Sequence, residues 1–200
     1  MSGDWERDVY SAGKQLNRYP WDHVVSFLFR HRQQTAANVL EVGCGSGNNL
    51  WFAAREGCAV TGIDASPSAI AYARKRFAEE GLKGDFRVVD FREPLGLAEG
   101  SFDLIIDRSA LTYLPPDQLV PVVARLRALL KPGGKFLFNP FGQGMTAAPT
   151  GQPYFYDREE ISRVLIGWKI LCLQRVTAET EQPRETLVEW RVIASPSTTG

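Results

Sequence analysis

Glycines recur in the segment Glu41-Val42-Gly43-Cys44-Gly45-Ser46-Gly47, directly after a short apolar run. Glycine allows backbone angles, and a close approach of the backbone to a ligand, that a side chain would block. A helix predicted to begin near Asn48 would also direct free backbone N–H groups toward a ligand. The segment therefore predicts a loop that holds a nucleotide-like cofactor, with a tight turn between a strand and a helix as the alternative on this pattern alone.

A carboxylate follows 21 positions after Gly43, at Asp64, where the next apolar run ends. An aspartate in this position can accept hydrogen bonds from both hydroxyls of a ribose that lies across the glycine loop. The alternative is a structural carboxylate that caps the following helix, which we disfavour because Ser66 already supplies that cap. A nicotinamide dinucleotide is disfavoured because its pattern needs a third glycine where this chain has Asn48, and because the chain leaves no room for a separate substrate domain.

The elements that would position these residues alternate along the chain. Short apolar, β-branched runs predict strands at 37–42, 59–64, 86–89, 102–106 and 135–138. Helices are predicted at 48–55, from Pro67 to an end marked by Gly81, and at 116–130, and the turn Lys131-Pro132-Gly133-Gly134 precedes the last of these strands. Strands that alternate with helices predict a parallel sheet covered on both faces, with the ligand outside the carboxyl ends of the strands.

Both ends of the chain differ from this alternation. Residues 21–32 carry apolar side chains at helical spacing and predict a helix that packs on the sheet or over its mouth. Near the other end, Asp157 and Glu160 form the pattern of a capping box, and residues 169–176 and 186–194 predict a hairpin. We expect one domain over residues 1–200, divided into a helical cap at 1–36, a core at 37–194 and a frayed tail at 195–200.

Composition narrows the class of protein. Lys plus Arg balance Asp plus Glu at 23 each, so the overall charge gives no reason to expect nucleic acid or anionic lipid. No run of roughly eighteen apolar residues occurs, and the first residues do not resemble a secretory signal. The cysteines Cys44, Cys58 and Cys172 lack metal-ligand spacing. We expect a cytoplasmic monomer or homodimer with reduced thiols, no metal, and a small-molecule partner rather than nucleic acid or a membrane.

Five short segments between about Asn38 and Phe141 occur in a distinctive order: Glu41 to Gly47, Gly62-Ile63-Asp64, Asp90-Phe91, Phe102 to Asp107, and Leu130 to Gly134. This order resembles that of the class I S-adenosylmethionine-dependent methyltransferases. The resemblance implies an α/β, Rossmann-like fold: a doubly wound, mostly parallel sheet of seven strands with helices on both faces. The predicted terminal hairpin fits the antiparallel last strand of that sheet.

The resemblance also implies a role toward S-adenosylmethionine for each matching position. Gly43 and Gly45 would pass beneath its methionine part, and Asp64 would bind the ribose. Asp90 and Phe91 would hold the adenine. Glu41 would orient the loop and help to receive the amino group of the cofactor, while Asp107 and Arg108 would line the floor of the site. Cys44, Asn49 and Ala65 complete the predicted cofactor set.

The acceptor side of the site is less defined. Arg108 departs from the small or neutral residues common in the family at this position and can meet an anionic substrate or the carboxylate of the cofactor, with an ion pair to Asp107 as the simpler alternative. Asp107 and His23 are candidate catalytic bases for a hydroxyl acceptor, although a histidine at a helix start is commonly a surface or capping residue. Residues 142–153 are a candidate substrate lid, bounded by the apolar walls Tyr154, Phe155 and Tyr156, with a disordered connection that has no role as the alternative.

Two further clusters bear on the substrate. The aromatic and cationic residues Tyr10, Arg18, Tyr19 and Trp21 can close over the cofactor or pack on the sheet. Asn139-Pro140-Phe141 follows the fifth strand, whereas the amine-gripping motif that it superficially matches follows the fourth, so we do not expect a nucleic-acid or protein amine as substrate. We expect methyl transfer to the oxygen, nitrogen or sulfur of a small molecule. The alternatives are a catalytically silent module that binds the adenosyl cofactor and, less favoured, a nicotinamide-dependent oxidoreductase.

Overall fold

The computed structural model describes residues 5–32, 37–179 and 184–197. Seven strands in this part of the chain form one sheet in the order β3-β2-β1-β4-β5-β7-β6. The strands are β1 (Asn38–Val42), β2 (Ala59–Asp64), β3 (Asp85–Val88), β4 (Phe102–Asp107), β5 (Leu130–Phe138), β6 (Trp168–Glu179) and β7 (Thr186–Pro196). The first five strands run parallel, and β7 lies antiparallel between β5 and β6. The predicted fold class is confirmed, including the antiparallel strand at the end.

Helices cover both faces of the sheet. They are α1 (Asp22–His31), α2 (Asn48–Arg55), α3 (Pro67–Glu79), α4 (Pro116–Leu129) and α5 (Arg158–Val164), together with a π-helical turn at Glu6–Tyr10 and a 3₁₀ turn at Leu111–Tyr113. Successive strand residues face opposite sides, so Leu104 and Ile106 pack with α1, α2 and α3 while Ile105 packs with α4 and α5. This two-sided burial explains why the parallel strands are almost continuously apolar.

Local signals placed several helix ends correctly. Ser66 accepts a hydrogen bond from the backbone N–H of Ala69 at 3.0 Å and caps α3, which begins at Pro67. Asp157 and Glu160 form the predicted capping box at the start of α5. These predictions are confirmed because each depends on groups that are close together in the chain.

Two predicted boundaries are wrong, both beside β5. The segment Lys131 to Gly134 forms the irregular first half of β5 instead of a turn before it, and the register with β4 shifts there between Phe102 and Leu104. The predicted tail at 195–200 begins too early, because Ser195 pairs with Lys169 across the hairpin and donates its hydroxyl to the Gly134 carbonyl at 2.8 Å. Long-range pairing thus extends both strands beyond their apolar runs.

The sheet brings the predicted motifs to one edge. Val42 of β1 pairs with Ile63 of β2 and with Asp107 of β4, so the ends of all three strands lie side by side. The glycine loop follows β1 at this carboxyl edge, where ligands bind in open α/β sheets. Among the described residues, no helix has the length and apolar character needed to cross a membrane.

Candidate active site

The glycine loop is shaped by contacts that exclude a side chain. Gly43 and Gly45 have φ values of 63° and 51°, in the left-handed region. A methyl group on Gly43 would collide with the Ala110 side chain, and one on Gly45 would fall 2.5 Å from the Tyr10 hydroxyl oxygen. The loop therefore needs glycine at both positions for its backbone angles and for close packing against neighbouring segments.

Cys44 anchors this loop to β2. Its backbone N–H donates to the Ile63 carbonyl at 3.0 Å, and its buried sulfur packs so closely on Gly62 that a methyl group there would lie 2.7 Å away. Burial, followed by the nearby carboxylates, raises the pKa of the thiol well above its usual value. Cys44 is thus an inert structural thiol under the loop. Its predicted contact with the cofactor would be made by its backbone, because its sulfur is buried.

Glu41 lies beneath the loop with one oxygen unpartnered. The Asn49 side chain donates to Glu41 Oε1 at 2.6 Å, and the backbone N–H of Trp21 donates to Asn49 Oδ1 at 3.1 Å. Glu41 Oε2 is buried and has no hydrogen-bond partner within the part of the chain that the structure describes. Burial raises the pKa of this carboxyl to about 8, against the opposing hydrogen bond from Asn49. A buried carboxyl oxygen without a donor is a candidate acceptor for a bound ligand.

Asp64 joins the glycine loop to α3. Its Oδ2 accepts a hydrogen bond from the Gly45 backbone N–H and its Oδ1 accepts one from the Ser66 N–H, both at 2.9 Å. Burial raises the pKa of this carboxyl while the two N–H donors oppose that rise. Ser66 supplies the side-chain cap, as predicted, yet Asp64 also bonds the start of the helix, so the carboxylate has a structural role beside its predicted ribose contact. Ala65 is exposed next to it.

Asp90 and Phe91 lie just beyond β3, on the same edge. Asp64 pairs with Val88, which places Asp90 two residues past the end of that pairing. Arg92 donates from Nε to Asp90 at 2.9 Å, and this hydrogen bond holds the pKa of the carboxyl below its usual value. Phe91 is half-buried against the core. Their predicted contact with an adenine stays a prediction, and an adenine amine would share Asp90 with Arg92.

Asp107 ends β4 and is fully buried. Its Oδ1 accepts the backbone N–H groups of Ala110 and Leu111, both at 2.9 Å, and its Oδ2 accepts that of Asn139 at 3.2 Å. Burial raises the pKa of the carboxyl to about 6, although these three donors oppose the rise. The carboxylate therefore fixes the turn that leads to Tyr113, and its use as a catalytic base stays a prediction.

Arg108 makes no ion pair with Asp107, so the simpler alternative proposed for it is wrong. Its guanidinium carbon lies 3.7 Å from the centroid of the Trp21 ring. Among the described residues the side chain makes no hydrogen bond or ion pair, and its Nε is buried without a partner. Burial lowers the pKa of the guanidinium, and the nearby Glu189, Asp107 and Glu41 carboxylates oppose this. A largely buried cation that has an aromatic contact but no hydrogen-bonded or ionic partner among the described residues is the most unusual feature of the site.

His23 lies in the first turn of α1 and is buried. Its Nδ1 is 3.3 Å from Asp22 Oδ1, while its buried Nε2 has no hydrogen-bond partner in residues 5–32, 37–179 or 184–197. Burial lowers the pKa of the imidazole, with Glu189 opposing and Arg191 and Arg108 reinforcing the decrease. His23 and Arg108 therefore share Glu189 as an electrostatic neighbour. A neutral imidazole with a free nitrogen retains the ability to accept a proton.

The amino-terminal segment crosses the glycine loop, and sequence reasoning missed part of it. Of the predicted cluster, Tyr10 and Trp21 reach the site through their rings. Arg18 and Tyr19 contribute backbone carbonyls instead, which accept from Arg76 at 2.6 Å and Asn48 at 2.8 Å. Three further residues near the site were not predicted: Trp5, Tyr113 and Glu189. The aromatic side chains of Trp5 and Tyr113 were a signal in the sequence, whereas Glu189 offered none. The cap predicted at 1–36 is described only over residues 5–32.

The candidate lid packs on the acceptor side. Tyr113 donates its hydroxyl to the Thr150 carbonyl at 2.6 Å, and the Thr112 hydroxyl donates to the Tyr154 carbonyl at 2.9 Å. Of the predicted apolar walls, Phe155 stacks on Phe141. Tyr156 is not a wall of the site, because it is fully buried in the core. Residues 142–153 therefore adjoin the turn after Asp107, and their function as a lid stays a prediction.

Comparison with known proteins agrees with this geometry. The family model "Methyltransferase domain" matches residues 39–134. The chain is 30% identical over 156 residues to the thiopurine S-methyltransferase of Vibrio parahaemolyticus, covering 70% of each protein. It is 34% identical over 115 residues to the ubiquinone biosynthesis O-methyltransferase of Nitrosococcus oceani, covering 58% of this chain and 48% of that protein, so it spans about half the length of that relative.

A solved S-adenosylmethionine-dependent methyltransferase from Methanosarcina mazei has the same fold. The TM-score is 0.72 with 21% sequence identity, and the alignment covers 89% of this chain and 99% of the other. In this chain the order of strands places the glycine loop and Asp64 at the carboxyl edge, where the sequence motifs predicted a cofactor site. The chain belongs to the class I S-adenosylmethionine-dependent methyltransferase family.

Proposed function

We propose that this protein transfers the methyl group of S-adenosylmethionine to a small molecule that carries an anionic group. The observation that carries the anionic part is Arg108, a largely buried guanidinium that contacts Trp21 but has no hydrogen-bonded or ionic partner among the described residues. The relatives named above, a thiopurine S-methyltransferase and a ubiquinone biosynthesis O-methyltransferase, support small-molecule methylation without deciding the nucleophile. We also propose a cytoplasmic monomer or homodimer that has no nucleic-acid partner.

The residues present fit the cofactor. The cradle formed by Gly43 and Gly45 excludes side chains, Glu41 Oε2 offers a buried acceptor for an ammonium group, and Asp64 lies within hydrogen-bond range of the loop. When bound, S-adenosylmethionine supplies an activated methyl group for in-line displacement. The protein then has to hold that group against the acceptor and keep water away, and positioning alone is worth roughly 7–11 kcal/mol in favourable cases.

The acceptor would lie on the side of Arg108. A guanidinium presents two parallel N–H donors that match a carboxylate, and such charge-assisted pairs are stronger than neutral hydrogen bonds. For a hydroxyl or amine acceptor, His23 is the proposed base, because its buried Nε2 is unpartnered and burial holds the imidazole neutral. A thiol acceptor ionises more readily and needs less help from a base. Asp107 is the weaker candidate, since three backbone N–H groups already occupy its oxygens.

The proposal is tested with matched acceptors. Purified protein is incubated with S-adenosylmethionine and with three pairs of compounds: 2-mercaptobenzoate and thiophenol, salicylate and phenol, and anthranilate and aniline. Formation of S-adenosylhomocysteine is measured. We expect transfer to at least one carboxylated member at about tenfold or more the kcat/KM of its neutral partner. Equal rates within each pair would contradict the anionic acceptor, and cofactor binding without any transfer would favour a catalytically silent module.

Glu41 leads to a prediction about protons. Its carboxyl has a pKa of about 8 because it is buried, so it is mostly protonated in the free protein at pH 6.5. An ammonium group placed beside it favours the ionised form, and cofactor binding should therefore release up to one proton. The observed affinity should rise with pH up to about 8. The effect of pH on folding stability without cofactor has the opposite direction. The free protein loses stability as the pH rises from about 4.5 to about 8, because Glu41 ionises in the unfolded chain over this range but stays protonated in the folded one.

The proton release is measured by calorimetry at pH 6.5 in buffers of different ionisation enthalpy. Glu41→Gln cannot release a proton at this position, so the variant should bind more weakly and without the buffer dependence. Asn49 donates to Glu41 Oε1 and can make the same hydrogen bond to the glutamine carbonyl, which makes the substitution well matched in shape. Equal proton release in both proteins would show that another group titrates.

A further inference from the structure

Three aromatic rings, which we name the aromatic trio, link the glycine loop to the turn that follows β4. They are Trp5, Tyr10 and Tyr113. The ring centroids of Trp5 and Tyr10 are 6.0 Å apart, and those of Trp5 and Tyr113 are 5.6 Å apart with the rings nearly perpendicular at 80°. Trp5 therefore joins Tyr10, in the amino-terminal segment, to Tyr113, in the turn after β4.

Tyr10 fixes one end of the trio on the cofactor loop. Its hydroxyl oxygen would fall 2.5 Å from a methyl group on Gly45. Burial, followed by the nearby Asp64 carboxylate, raises the pKa of this phenol. Tyr10 thus lies over the loop, close to the Asp64 carboxylate that is predicted to bind the cofactor.

Tyr113 fixes the other end on the acceptor side. It closes the 3₁₀ turn that Asp107 holds by accepting the backbone N–H groups of Ala110 and Leu111. Burial raises the pKa of Tyr113 to about 12, and the positive charge of Arg108 opposes the rise, which places the phenol within electrostatic range of the guanidinium. The trio thus runs from the glycine loop to the turn that follows Asp107 and Arg108 in the chain.

We infer that the aromatic trio encloses the methylsulfonium group of the cofactor and selects its positive charge over the neutral thioether of the product. The inference rests on the proposed function, because the methyl group must lie between the cofactor loop and an acceptor held at Arg108. Aromatic faces attract cations, most strongly where water is excluded. The guanidinium of Arg108 repels a second cation in a partly buried site, so a sulfonium there needs the compensating faces of these rings.

The two ligands differ in one respect that isolates this effect. S-adenosylmethionine carries a methyl group and a positive charge that S-adenosylhomocysteine lacks, while the adenosine and amino-acid parts are the same. A ring that merely covers the site would contribute to the binding of both ligands alike. Rings that recognise the sulfonium contribute to the donor alone, and they hold the product less tightly once the charge has been transferred.

The test compares the dissociation constants of both ligands by calorimetry. We expect Trp5→Leu and Tyr113→Leu to weaken S-adenosylmethionine binding by about 3- to 30-fold and S-adenosylhomocysteine binding by less than about twofold. Trp5→Phe and Tyr113→Phe keep an aromatic face, and Tyr113→Phe removes only the hydrogen bond to Thr150, so the ratio of the two constants should stay within about twofold of the wild-type value. Circular dichroism checks that each variant is folded.

Equal weakening of both ligands in the leucine variants would overturn the inference and leave the rings as a simple cover. The inference would also be overturned if the leucine variants left the ratio of the two dissociation constants unchanged, or if the phenylalanine variants changed that ratio as much as the leucine variants do. Wild-type protein that binds neither ligand would overturn the proposed function together with the inference. Failure to methylate any acceptor would affect only the proposed function, since the ratio is measured without an acceptor.

Discussion

Asp64→Ala is expected to weaken the binding of both S-adenosylmethionine and S-adenosylhomocysteine by about 100-fold or more. We propose that the carboxylate accepts hydrogen bonds from the two ribose hydroxyls, and hydrogen bonds to a charged group are worth about 1.5–3 kcal/mol each. Asp64 also accepts the backbone N–H groups of Gly45 and Ser66, so its removal loosens the loop in addition. Both ligands carry the same ribose, and the two affinities should fall together.

A matched control removes a carboxylate elsewhere on the same sheet. Asp85 begins β3, is exposed and pairs with Arg87 at 2.7 Å. Asp85→Ala should leave both affinities within about twofold of wild type, because exposed ion pairs contribute little and this one does not touch the glycine loop. Calorimetry with both ligands, and thermal unfolding of both variants, gives the comparison. Cofactor affinity that survives Asp64→Ala would contradict the proposed ribose contact.

Much of the cofactor half was predictable from sequence because its signals are local. The glycines of the loop, the Ser66 cap and the aspartate at the end of β2 each depend on neighbours within a few residues. The alternation of apolar runs predicted the parallel sheet for the same reason, because a strand buried on both faces appears in the sequence as a run of consecutive apolar residues. Local chemistry therefore determined where the cofactor motifs lie, and the sheet then brought their ends together.

The acceptor half was less predictable because its contacts join distant parts of the chain. Trp5 packs on Tyr113, although more than half the sequence separates the two residues, and no periodic pattern in the sequence predicts this contact. Tyr156 looked like a pocket wall beside Tyr154, yet its ring is buried in the core and packs on Phe138 of β5. The lack of a hydrogen-bonded or ionic partner for Arg108 among the described residues depends on where every nearby acid lies, and Asp107, its neighbour in sequence, accepts backbone donors instead.

Because of that unpartnered state, Arg108→Gln is expected to lower kcat/KM for the carboxylated acceptor by about 100-fold while leaving the dissociation constant of S-adenosylmethionine within about threefold. The loss corresponds to two charge-assisted hydrogen bonds between the guanidinium and the carboxylate. Arg108→Lys keeps the charge but loses the paired donors and the planar stack on Trp21, so an intermediate loss of about tenfold is expected. The neutral partner of the acceptor pair should be methylated equally well by all three proteins.

Cofactor affinity distinguishes the two possible partners of Arg108. If the guanidinium binds the carboxylate of the cofactor instead of an acceptor, Arg108→Gln will weaken S-adenosylmethionine and S-adenosylhomocysteine alike, and the preference for anionic acceptors will remain. Arg127→Gln is the control, because this arginine lies in the last turn of α4 and donates to the Gly167 carbonyl at 3.0 Å. That turn leads into the start of β5, at the sheet edge opposite the site, so the substitution should leave both affinity and kcat/KM unchanged.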